Sequence, residues 1–185
     1  GGAVSVTGDA VNYGTDGPLV MALPQPGYCF SRWSDGNADN PRQDKTIVAN
    51  IAVQAAFAPL FSGSGTAGAP YNIMTVEQLQ ELRQLPDKRF MLMNDIDASA
   101  AAEWNNGAGF QPIGSTEKPF TGTLDGRGYV ISGLSIRRPG ENNIGLFGAT
   151  GPGARLMNIA LHDAVIVGKE NVGALVGYEK SGTAL

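Results

Sequence analysis

The sequence contains little cysteine, histidine or charge. Cys29 and His162 are the single cysteine and the single histidine among 185 residues, which excludes an internal disulfide and a cysteine-based zinc site. Charged residues make up 16% of the chain, against about 25% in an average domain. The formal net charge is −4. Because phosphate groups bind to a positive field, neither a nucleic acid nor an anionic membrane is an expected partner.

Long apolar runs and helix-forming windows are also scarce. No apolar run reaches the length of a membrane span, so we expect a chain that is not embedded in a membrane. The 26 glycines are about twice the usual share, and together with 11 prolines they favour an all-β protein with tight turns. The chain starts with GGAVSV and has no signal peptide pattern, so we expect a piece of a larger polypeptide.

Composition divides the chain into two blocks. Residues 62–70, SGSGTAGAP, contain no large apolar side chain and predict a flexible Gly/Ser linker over residues 61–70. Residues 1–60 alternate β-prone segments, such as Lys45–Ile51, with turn clusters, which is typical of a small all-β domain. Residues 71–185 form the second domain. The predicted core of the first domain consists of four aromatic residues: Tyr28, Phe30, Trp33 and Phe57.

One helix is expected directly after the linker. The stretch Thr75–Leu85 begins with a capping box, since Gln78 follows Thr75 by three positions, and Pro86 ends it. Beyond this helix the apolar pattern changes to alternation, which is typical of short strands. The apolar residues that recur at helical spacing are Val76, Leu79 and Leu82.

Two similar phrases recur in the second domain. NNIGLFG ends at Gly148 and NVGALVG ends at Gly177, and Asn143 and Asn171 lie 28 positions apart. A recurrence at this distance indicates stacked structural units rather than a catalytic motif. In each phrase the large apolar residues are predicted to fill one interior column. The glycines are predicted to form tight corners at positive φ, and the Asn to accept a left-handed corner.

A second alignment sets the predicted coil length. ISGLSI, residues 131–136, aligns with LMNIAL, residues 156–161, so Leu134 is expected in the place that Ile159 takes one coil later. The spacing is about 25 residues, enough for two or three short strands whose ladders stack about 4.8 Å apart. The pattern predicts a right-handed parallel β-helix, or a related solenoid, with the predicted helix capping its N-terminal end.

The second domain resembles a known family. The phrases YNIMTVEQLQEL, FMLMNDIDA, EWNNGAGFQPIGS, PFTGTLDGRGYVISGLSI, NNIGLFG and NVGALVG follow in this order over residues 70–185. They resemble the GLUG-repeat β-helix segments of bacterial surface proteins, including adhesins and the non-catalytic parts of immunoglobulin-A-type metalloproteases. The resemblance implies a β-helix in a secreted or surface-attached bacterial protein. The second copy departs from the pattern, since it reads GALVG where the first reads GLFG.

The first domain carries a separate resemblance. GGAVSVTG, PLVMALPQPGYCFSRWSDGNADNPR and ANIAVQAAF, over residues 1–59, are similar to internalin B-repeats and to the related Listeria–Bacteroides repeats. The phrase GYxFxxW, here Tyr28, Phe30 and Trp33, carries the similarity, and Cys29 is unusual in that setting. These repeats are small β-grasp-like modules of extracellular proteins. The resemblance therefore implies a β-grasp-like fold and an extracellular or cell-surface location.

Acidic residues are the first candidates for catalysis or metal binding. Asp95 and Asp97 lie two apart on a predicted strand, where paired carboxylates suit acid–base chemistry, but bonds to backbone amides at the strand end are the favoured interpretation. Asp125 precedes a glycine and is typical of an Asx turn. The stretch Asp35–Asn40 offers oxygen ligands to calcium. It lacks the spaced acids and terminal Glu of a calcium loop, so a turn is the favoured interpretation.

His162 and Cys29 lack suitable partners for catalysis. Adjacent positions on a strand point to opposite faces, so His162 and Asp163 make a poor relay and a solvent-facing histidine is expected. A nucleophilic Cys29 needs a base, and the only histidine lies in the other domain, so a buried or partly buried thiol is expected. No HExxH or P-loop motif is present. We therefore predict no catalytic residue, no metal site and no cofactor.

The two tryptophans are the remaining candidates for binding, because exposed aromatic rings contact the apolar faces of glycans. Trp33 is expected to fill the core of the first domain. Trp104 lies in the loop-like segment AAEWNNGAGF, and binding residues are disproportionately found on loops. Trp104, Asn105 and Asn106 are therefore the predicted glycan contacts.

Together these patterns predict a mainly β, non-enzymatic fragment of a secreted or cell-surface bacterial protein that acts as an adhesin stalk, display or binding region. The expected partner is a surface protein or glycan of a host or neighbouring cell. Two alternatives remain: an accessory region of a large secreted hydrolase, such as an IgA-protease-like metallopeptidase, and a glycan-binding module. We also expect the polypeptide to continue beyond Leu185, because EKSGTAL stops inside a coil and leaves unpaired strand edges.

Overall fold

The structure, a computed structural model, describes residues 1–6, 8 and 10–180. The chain divides into two compact units, with the division between Leu60 and Phe61, and each unit is described by itself. The expectation of an incomplete final coil rests on residues 181–185, which lie outside the described residues.

The described residues of the first unit form two antiparallel pairs of strands. The strands are β1 (Gly2–Val4), β2 (Ala22–Pro24), β3 (Tyr28–Trp33) and β4 (Ala55–Pro59). Strand β1 pairs with β2, and β3 pairs with β4. A bulge between Phe30 and Arg32 shifts the register of the second pair. The inserted residue changes the face on which the following side chains of β3 lie.

Trp33 is the largest fully buried side chain among the described residues of the first unit. Its side chain is 1% exposed, and its ring centroid lies 5.5 Å from that of Phe30, which packs edge-on against Phe57. The predicted core is confirmed for Trp33, while Phe30 and Phe57 are half-buried. The prediction for Tyr28 is wrong, because its side chain is 40% exposed. Tyr28 lies opposite Pro59 at the end of a two-stranded pair, where little covers it.

The predicted strand over Lys45–Ile51 is instead an irregular loop. Thr46 adopts a φ of 47°, in the left-handed region that interrupts an extended strand. Its amide donates to Oδ1 of Asp16 at 3.0 Å, and the amide of Ile47 donates to the carbonyl of Thr15 at 2.8 Å. These contacts with a distant turn outweigh the β propensity of the segment.

The predicted linker, residues 61–70, is a loop with contacts of its own, and its flexibility stays a prediction. Phe61 is 4% exposed, and its ring centroid lies 5.0 Å from that of Tyr71 and 6.0 Å from that of Phe90. The amide of Ser64 donates to the carbonyl of Ala69 at 2.9 Å, which closes the loop on itself. Composition missed this because the aromatic anchor lies one position before the window SGSGTAGAP.

The described part of the second unit contains thirteen short strands. They are β5 (Tyr71–Ile73), β6 (Arg89–Leu92), β7 (Ile96–Asp97), β8 (Thr123–Asp125), β9 (Val130–Ser132), β10 (Ser135–Arg137), β11 (Asn142–Ile144), β12 (Phe147–Thr150), β13 (Arg155–Met157), β14 (Ala160–His162), β15 (Val165–Val167), β16 (Glu170–Val172) and β17 (Val176–Glu179). Their sheets have the orders β13-β8-β6-β5, β14-β9-β7, β10-β15, β11-β16 and β12-β17. Every one of these pairs is parallel. The chain therefore winds as a parallel β-helix of about three turns, which confirms the predicted fold class.

Helix α1 (Val76–Glu81) lies between β5 and β6, and a 3₁₀ turn (Leu82–Gln84) extends it. A second helical turn, α2 (Trp104–Gly107), is short and is interrupted by non-helical φ and ψ angles at Asn105 and Asn106. Oγ1 of Thr75 accepts a hydrogen bond from the amide of Gln78 at 3.3 Å, and Oε1 of Gln78 accepts one from the amide of Met74. The predicted N-cap is confirmed, although the return bond lies one residue earlier than in a capping box. No helix among the described residues has the length and hydropathy to cross a membrane. The predicted apolar stripe is buried: Val76, Leu79 and Leu82.

A continuous apolar column runs through the coils, and in it Phe90, Leu124 and Leu156 pair in register on successive parallel strands. Phe90, Phe120 and Phe147 are fully buried, and their ring centroids follow one another at 6.4 Å and 4.8 Å. In the last described coil Leu161 and Ile166 are half-buried. The other interior side chains are aliphatic and include Leu92, Ile96, Leu124, Ile131, Ile136, Ile144 and Leu146.

The coil length differs from the predicted spacing. Ile131 pairs with Leu161, and Ile136 pairs with Ile166, so the chain advances by 30 positions in one coil at these strands. Leu134 consequently does not take the place of Ile159. The prediction is wrong because a coil contains five short strands with similar apolar patterns, so an alignment by pattern slips by one strand.

The recurring Asn residues form a left-handed corner, as predicted. Asn143 and Asn171 adopt φ values of 61° and 54°, and Nδ2 of Asn171 donates to Oδ1 of Asn143 at 2.8 Å. The prediction of positive φ for the glycines of the two phrases is wrong. A Cβ at Gly145 would lie 2.5 Å from the carbonyl oxygen of Gly173, and one at Gly177 would lie 2.5 Å from the carbonyl carbon of Asn143. These glycines therefore permit close approach of neighbouring coils.

Candidate functional site

The loop that carries Trp104 follows strand β7. A 3₁₀ turn over Ser99–Glu103 leads into it, and Asn105 and Asn106 follow with φ values of 54° and 58°. Asparagine adopts the left-handed region at lower cost than most residues, because its short side chain bonds locally. The chain therefore turns sharply directly after Trp104.

Hydrogen bonds fix this loop against strand β10. The amide of Phe110 donates to the carbonyl of Ser135 at 2.9 Å, and Gly109 forms an isolated bridge with Ile136. Within the loop, Nδ2 of Asn105 donates to the carbonyl of Gly109 at 2.7 Å. The turn is therefore held both by its own side chain and by the neighbouring coil.

Trp104 is half-buried on this loop. Its ring stacks on that of Phe110, with the centroids 6.5 Å apart and the planes inclined by 23°, and Phe110 is fully buried. One side of the indole is therefore covered.

The structure brings the three predicted glycan contacts together on one turn but gives them different tasks. The amide of Asn105 is engaged within the loop, whereas Asn106 is exposed beside the partly exposed indole of Trp104. An aromatic surface next to an amide suits contact with a sugar ring. The glycan contact itself stays a prediction.

The candidate catalytic carboxylates bond backbone amides, which confirms the favoured interpretation of each. Three of these bonds have a length of 2.9 Å and run from the amide of Val130 to Asp95, from Ser99 to Asp97 and from Arg127 to Asp125. Bonds from the hydroxyl and the amide of Ser99 lower the pKa of Asp97. A carboxyl group with a lowered pKa is ionised at neutral pH, so it is poorly suited to act as a general acid.

His162 and Asp163 contact each other, contrary to the alternation expected along a strand. Nδ1 of His162 lies 3.1 Å from Oδ2 of Asp163. Asp163 adopts a φ of 51° and follows the last residue of β14, so strand alternation does not apply to it. The two side chains are 70% and 78% exposed. The solvent-facing histidine is therefore confirmed, and water screens the pair.

A buried arginine organises the loop that was weighed as a calcium site. The guanidinium group of Arg42 is 3% exposed and forms ion pairs with the carboxylates of Asp35 and Asp44. It also lies over the ring of Trp33, 5.1 Å from the centroid. The hydrogen bond from Arg42 is the main cause that lowers the pKa of Asp35. Asp35 of this loop therefore pairs with a cation of the chain itself.

This cluster explains why the loop is a turn. Oδ1 of Asp35 accepts the amide of Asn37 at 3.1 Å, and Oδ1 of Asn37 accepts the amide of Asp39. No group of three His, Cys, Asp or Glu in the described part of the chain is arranged to hold a metal ion. Sequence reasoning missed the burial of Arg42. The available signal is a single arginine close to three acids: Asp35, Asp39 and Asp44.

A cavity of about 730 Å³ lies in the first unit. Among its described lining residues Asp44 is the one carboxylate, and it is paired with Arg42. The described lining residues therefore give Asp44 no second carboxylate with which it could share acid–base chemistry. Most of the lining is apolar and includes Val4, Val11, Tyr13, Ile47 and Ile51.

Cys29 lies in strand β3 as a half-buried thiol, as predicted. It pairs with Ala58 of β4, and its Sγ lies 3.6 Å from the carbonyl oxygen of Ala58. The first unit contains no histidine that could activate this thiol.

One known family matches the first unit. The family model of the divergent InlB B-repeat domain matches residues 1–60. This range coincides with the first compact unit. No solved structure matches the chain at a significant level.

Two similar proteins are much longer than this chain. Halomucin of Haloquadratum walsbyi is 40% identical over 124 residues, which are 64% of this chain and 1% of halomucin. A Gly-rich membrane protein of Evansella cellulosilytica is 38% identical over 117 residues, which are 62% of this chain and 13% of that protein. The chain thus spans a small part of these relatives. Its residues 1–60, which match the B-repeat model, precede a parallel β-helix in the sequence.

Proposed function

We propose that this chain is a non-catalytic part of a large cell-surface or secreted protein, in which the β-helix acts as a stiff adhesin stalk that displays binding regions. The observation that carries the proposal is the buried ladder of Phe90, Leu124 and Leu156, which pair in register on successive strands of the β-helix. Coils that each pack on their neighbours build a stiff solenoid by repetition. The similarity to the InlB B-repeat domain, to halomucin and to a membrane protein supports a location at the cell surface.

We further infer that the β-helix is of the GLUG-repeat type. Strand β11 pairs with β16 and strand β12 pairs with β17, so NNIGLFG and NVGALVG occupy matching places in consecutive coils. In both phrases the Asn opens a left-handed corner and the glycines allow close backbone approach. The same sequence phrase therefore plays the same structural role in both coils.

The environment of the ionisable residues supports a non-catalytic role. Asp95, Asp97 and Asp125 accept backbone amides, and His162 is exposed beside Asp163. Catalytic acids and bases more commonly lie in clefts where burial or a charged partner tunes the pKa. None of these five side chains is buried.

Stretching single molecules in an optical trap tests the stalk function. We expect the β-helix to lengthen in discrete steps, each of which releases one coil of about 30 residues, or about 100 Å of extended chain. Discrete steps are expected because each coil is stabilised by its neighbours. Smooth lengthening at low force would contradict the proposed stalk.

A second function, glycan binding, is favoured by the half-buried indole of Trp104 beside the exposed Asn106. On a glycan array we expect binding that is lost in Trp104→Ala and weakened in Asn106→Ala. Tyr178→Ala removes an exposed aromatic ring from another part of the β-helix and should leave binding intact. An array without signal for the unmodified chain would refute this function.

A further inference from the structure

A row of outward side chains crosses the sheet formed by β5, β6, β8 and β13. Arg89 and Arg155 both pair with Thr123, one from each side. Adjacent strands are about 4.8 Å apart, which places the Cα atoms of the two arginines about 10 Å apart. The next residue of each strand lies in the buried interior, so alternation directs these three side chains outward. Both arginines are exposed.

A third arginine lies beside this row. Arg127 occupies a corner with a φ of 53°, and its Nη1 lies 3.8 Å from Sδ of Met91 and 3.7 Å from Sδ of Met93. Met157 continues the outward column of Met91, two strands away. The face therefore combines guanidinium groups with an apolar strip of thioethers.

The positive charge of this arginine face is not neutralised locally. Among the described residues, none of Arg89, Arg127 and Arg155 forms an ion pair. The carboxylate between them, Asp125, accepts the amide of Arg127 and Nδ2 of Asn158 at Oδ1. Three guanidinium groups around one hydrogen-bonded carboxylate leave a local positive excess on a chain with a net charge of −4.

We propose that the arginine face binds an acidic polysaccharide, a sugar polymer that carries carboxylate or sulfate groups along an extended chain. Guanidinium groups bind such oxyanions through paired N–H donors. Arg89 and Arg155, about 10 Å apart, match anionic groups on successive units of the polymer, and Thr123 offers a hydroxyl group between them. The methionine strip contacts the apolar faces of the sugars.

A nucleic acid fits this face less well. Three cations provide a small field for a phosphate backbone on an acidic chain. The paired side chains beside them are Met91, Asp125 and Met157, whereas single strands bind by stacking bases on aromatic rings. The face lies on other strands than the Trp104 loop, and the proposed binding does not depend on the stalk function.

Titration calorimetry of the full chain with heparin tests the proposal. Dextran serves as the uncharged sugar and a single-stranded oligothymidine as the polyanion without sugar-chain sulfate. We expect heparin to bind, with an affinity that falls as NaCl is raised because salt screens exposed charges, and dextran not to bind. Heparin should bind more tightly than the oligothymidine.

Paired substitutions assign the binding to the face. Arg89→Gln with Arg155→Gln should lower the heparin affinity at least about tenfold, since two charge-assisted contacts are lost. Arg89→Lys with Arg155→Lys keeps the charge without the paired donors and should lower it less. The matched control, Arg32→Gln with Arg137→Gln, removes two exposed arginines outside the face and should change the affinity less than about twofold.

Three results would overturn the proposal: an unchanged affinity after the double substitution in the face, an equal loss in the control, or equal binding of the oligothymidine. A chemical-protection experiment on the unmodified chain tests the same binding without substitutions. Phenylglyoxal modifies accessible guanidinium groups, and bound heparin should protect Arg89 and Arg155 but not Arg32 when the products are mapped by mass spectrometry. Absence of protection would count against the proposed polysaccharide binding. It would not affect the proposed stalk function, which the force-induced unfolding steps test separately.

Discussion

The two units use short strands in common but stabilise them differently. Among the described residues of the first unit, few side chains are fully buried, and one of them, Arg42, is charged. The second unit encloses an uncharged interior from Ile73 to Leu156. A chain of about 60 residues buries only a modest share of its surface. The first unit therefore surrounds Trp33 with a cation and its carboxylates, whereas the second extends one apolar column by repetition.

The difference also appears in the loops. In the first unit, loop contacts such as that of Thr46 with Asp16 involve side-chain charges. In the second, the corners depend on backbone geometry, with left-handed Asn residues and glycines at close approach. Substitutions that remove a charge should therefore destabilise mainly the first unit. Substitutions that change side-chain size or backbone preference should destabilise mainly the second.

Removal of an aromatic ring from the column should have the largest effect. Phe147→Ala is expected to destabilise the second unit by about 3–5 kcal/mol, the usual cost of a buried phenylalanine truncated to alanine. Hydrogen exchange read by mass spectrometry should show faster exchange in peptides of the second unit alone. Tyr178→Ala on β17, 39% exposed, is the matched control and should change little. Equal acceleration in the first unit would contradict the independent stabilisation of the two units.

Loss of the buried cation should destabilise the first unit. Arg42→Met is expected to cost about 2–3 kcal/mol, below the full cost of breaking a buried ion pair because the freed carboxylates are partly hydrated. Denaturation of a Trp104→Phe background, followed by the fluorescence of Trp33, measures the change. Arg32→Met on the exposed side of β3 is the control. A loss of unfolding free energy no greater than that of the control would show that Arg42 does not stabilise the core.

The left-handed corner should respond to backbone preference. Asn143→Ala is expected to destabilise the second unit by about 1–2 kcal/mol, since alanine is strained at positive φ, and Asn143→Gly should cost less. Asn142→Ala, which alters the exposed neighbouring residue, should be nearly neutral. Urea denaturation followed by circular dichroism distinguishes these outcomes. Glycine and alanine with equal costs would show that the side-chain bond to Asn171, rather than φ, decides the preference.

Acidification should have the smallest effect, and the first unit should respond through its ion pairs. Hydrogen bonds from Lys45 and Arg42 lower the pKa values of Asp16 and Asp35, respectively. The stability that these groups contribute is present above their unfolded pKa of about 3.9 and is lost as pH falls through the lower folded values. Trp33 fluorescence should therefore report weaker stability below about pH 4.

A double variant, Asp16→Asn with Asp35→Asn, is the control for this pH dependence. It lacks both titrating groups, so the loss of stability on acidification should be smaller than in the unmodified chain. An unchanged pH profile would show that other carboxyl groups cause the loss.

Local features of the fold were predictable from the sequence. The cap of Thr75 and the buried stripe of α1 depend on residues a few positions apart, and the left-handed corners of Asn143 and Asn171 reflect an intrinsic preference of asparagine. The coil register was not predictable in the same way. Several strands of similar apolar pattern make alignments one strand apart nearly equivalent, and only packing between coils selects one of them.

The candidate sites were likewise predictable only where they depend on residues close together in the sequence. The loop character of Trp104 follows from its Gly- and Asn-rich surroundings, but its stacking on Phe110 depends on how the loop folds back. Arg89 and Arg155 are far apart in the sequence and become neighbours of Thr123 only through the ladders. The burial of Arg42 likewise requires Trp33 and Asp44 to meet in space, which no local pattern encodes.

Engineered disulfides test the register of the coils most directly. In a Cys29→Ser background, Ser132→Cys with His162→Cys joins positions that pair between β9 and β14, and paired positions about 5 Å apart lie within disulfide range. Ser132→Cys with Met157→Cys follows the shorter spacing that the sequence alignment favours. We predict that mild oxidation consumes both thiols of the first pair and leaves those of the second free. Closure of the second pair, with the first left open, would contradict the stacked coils described above.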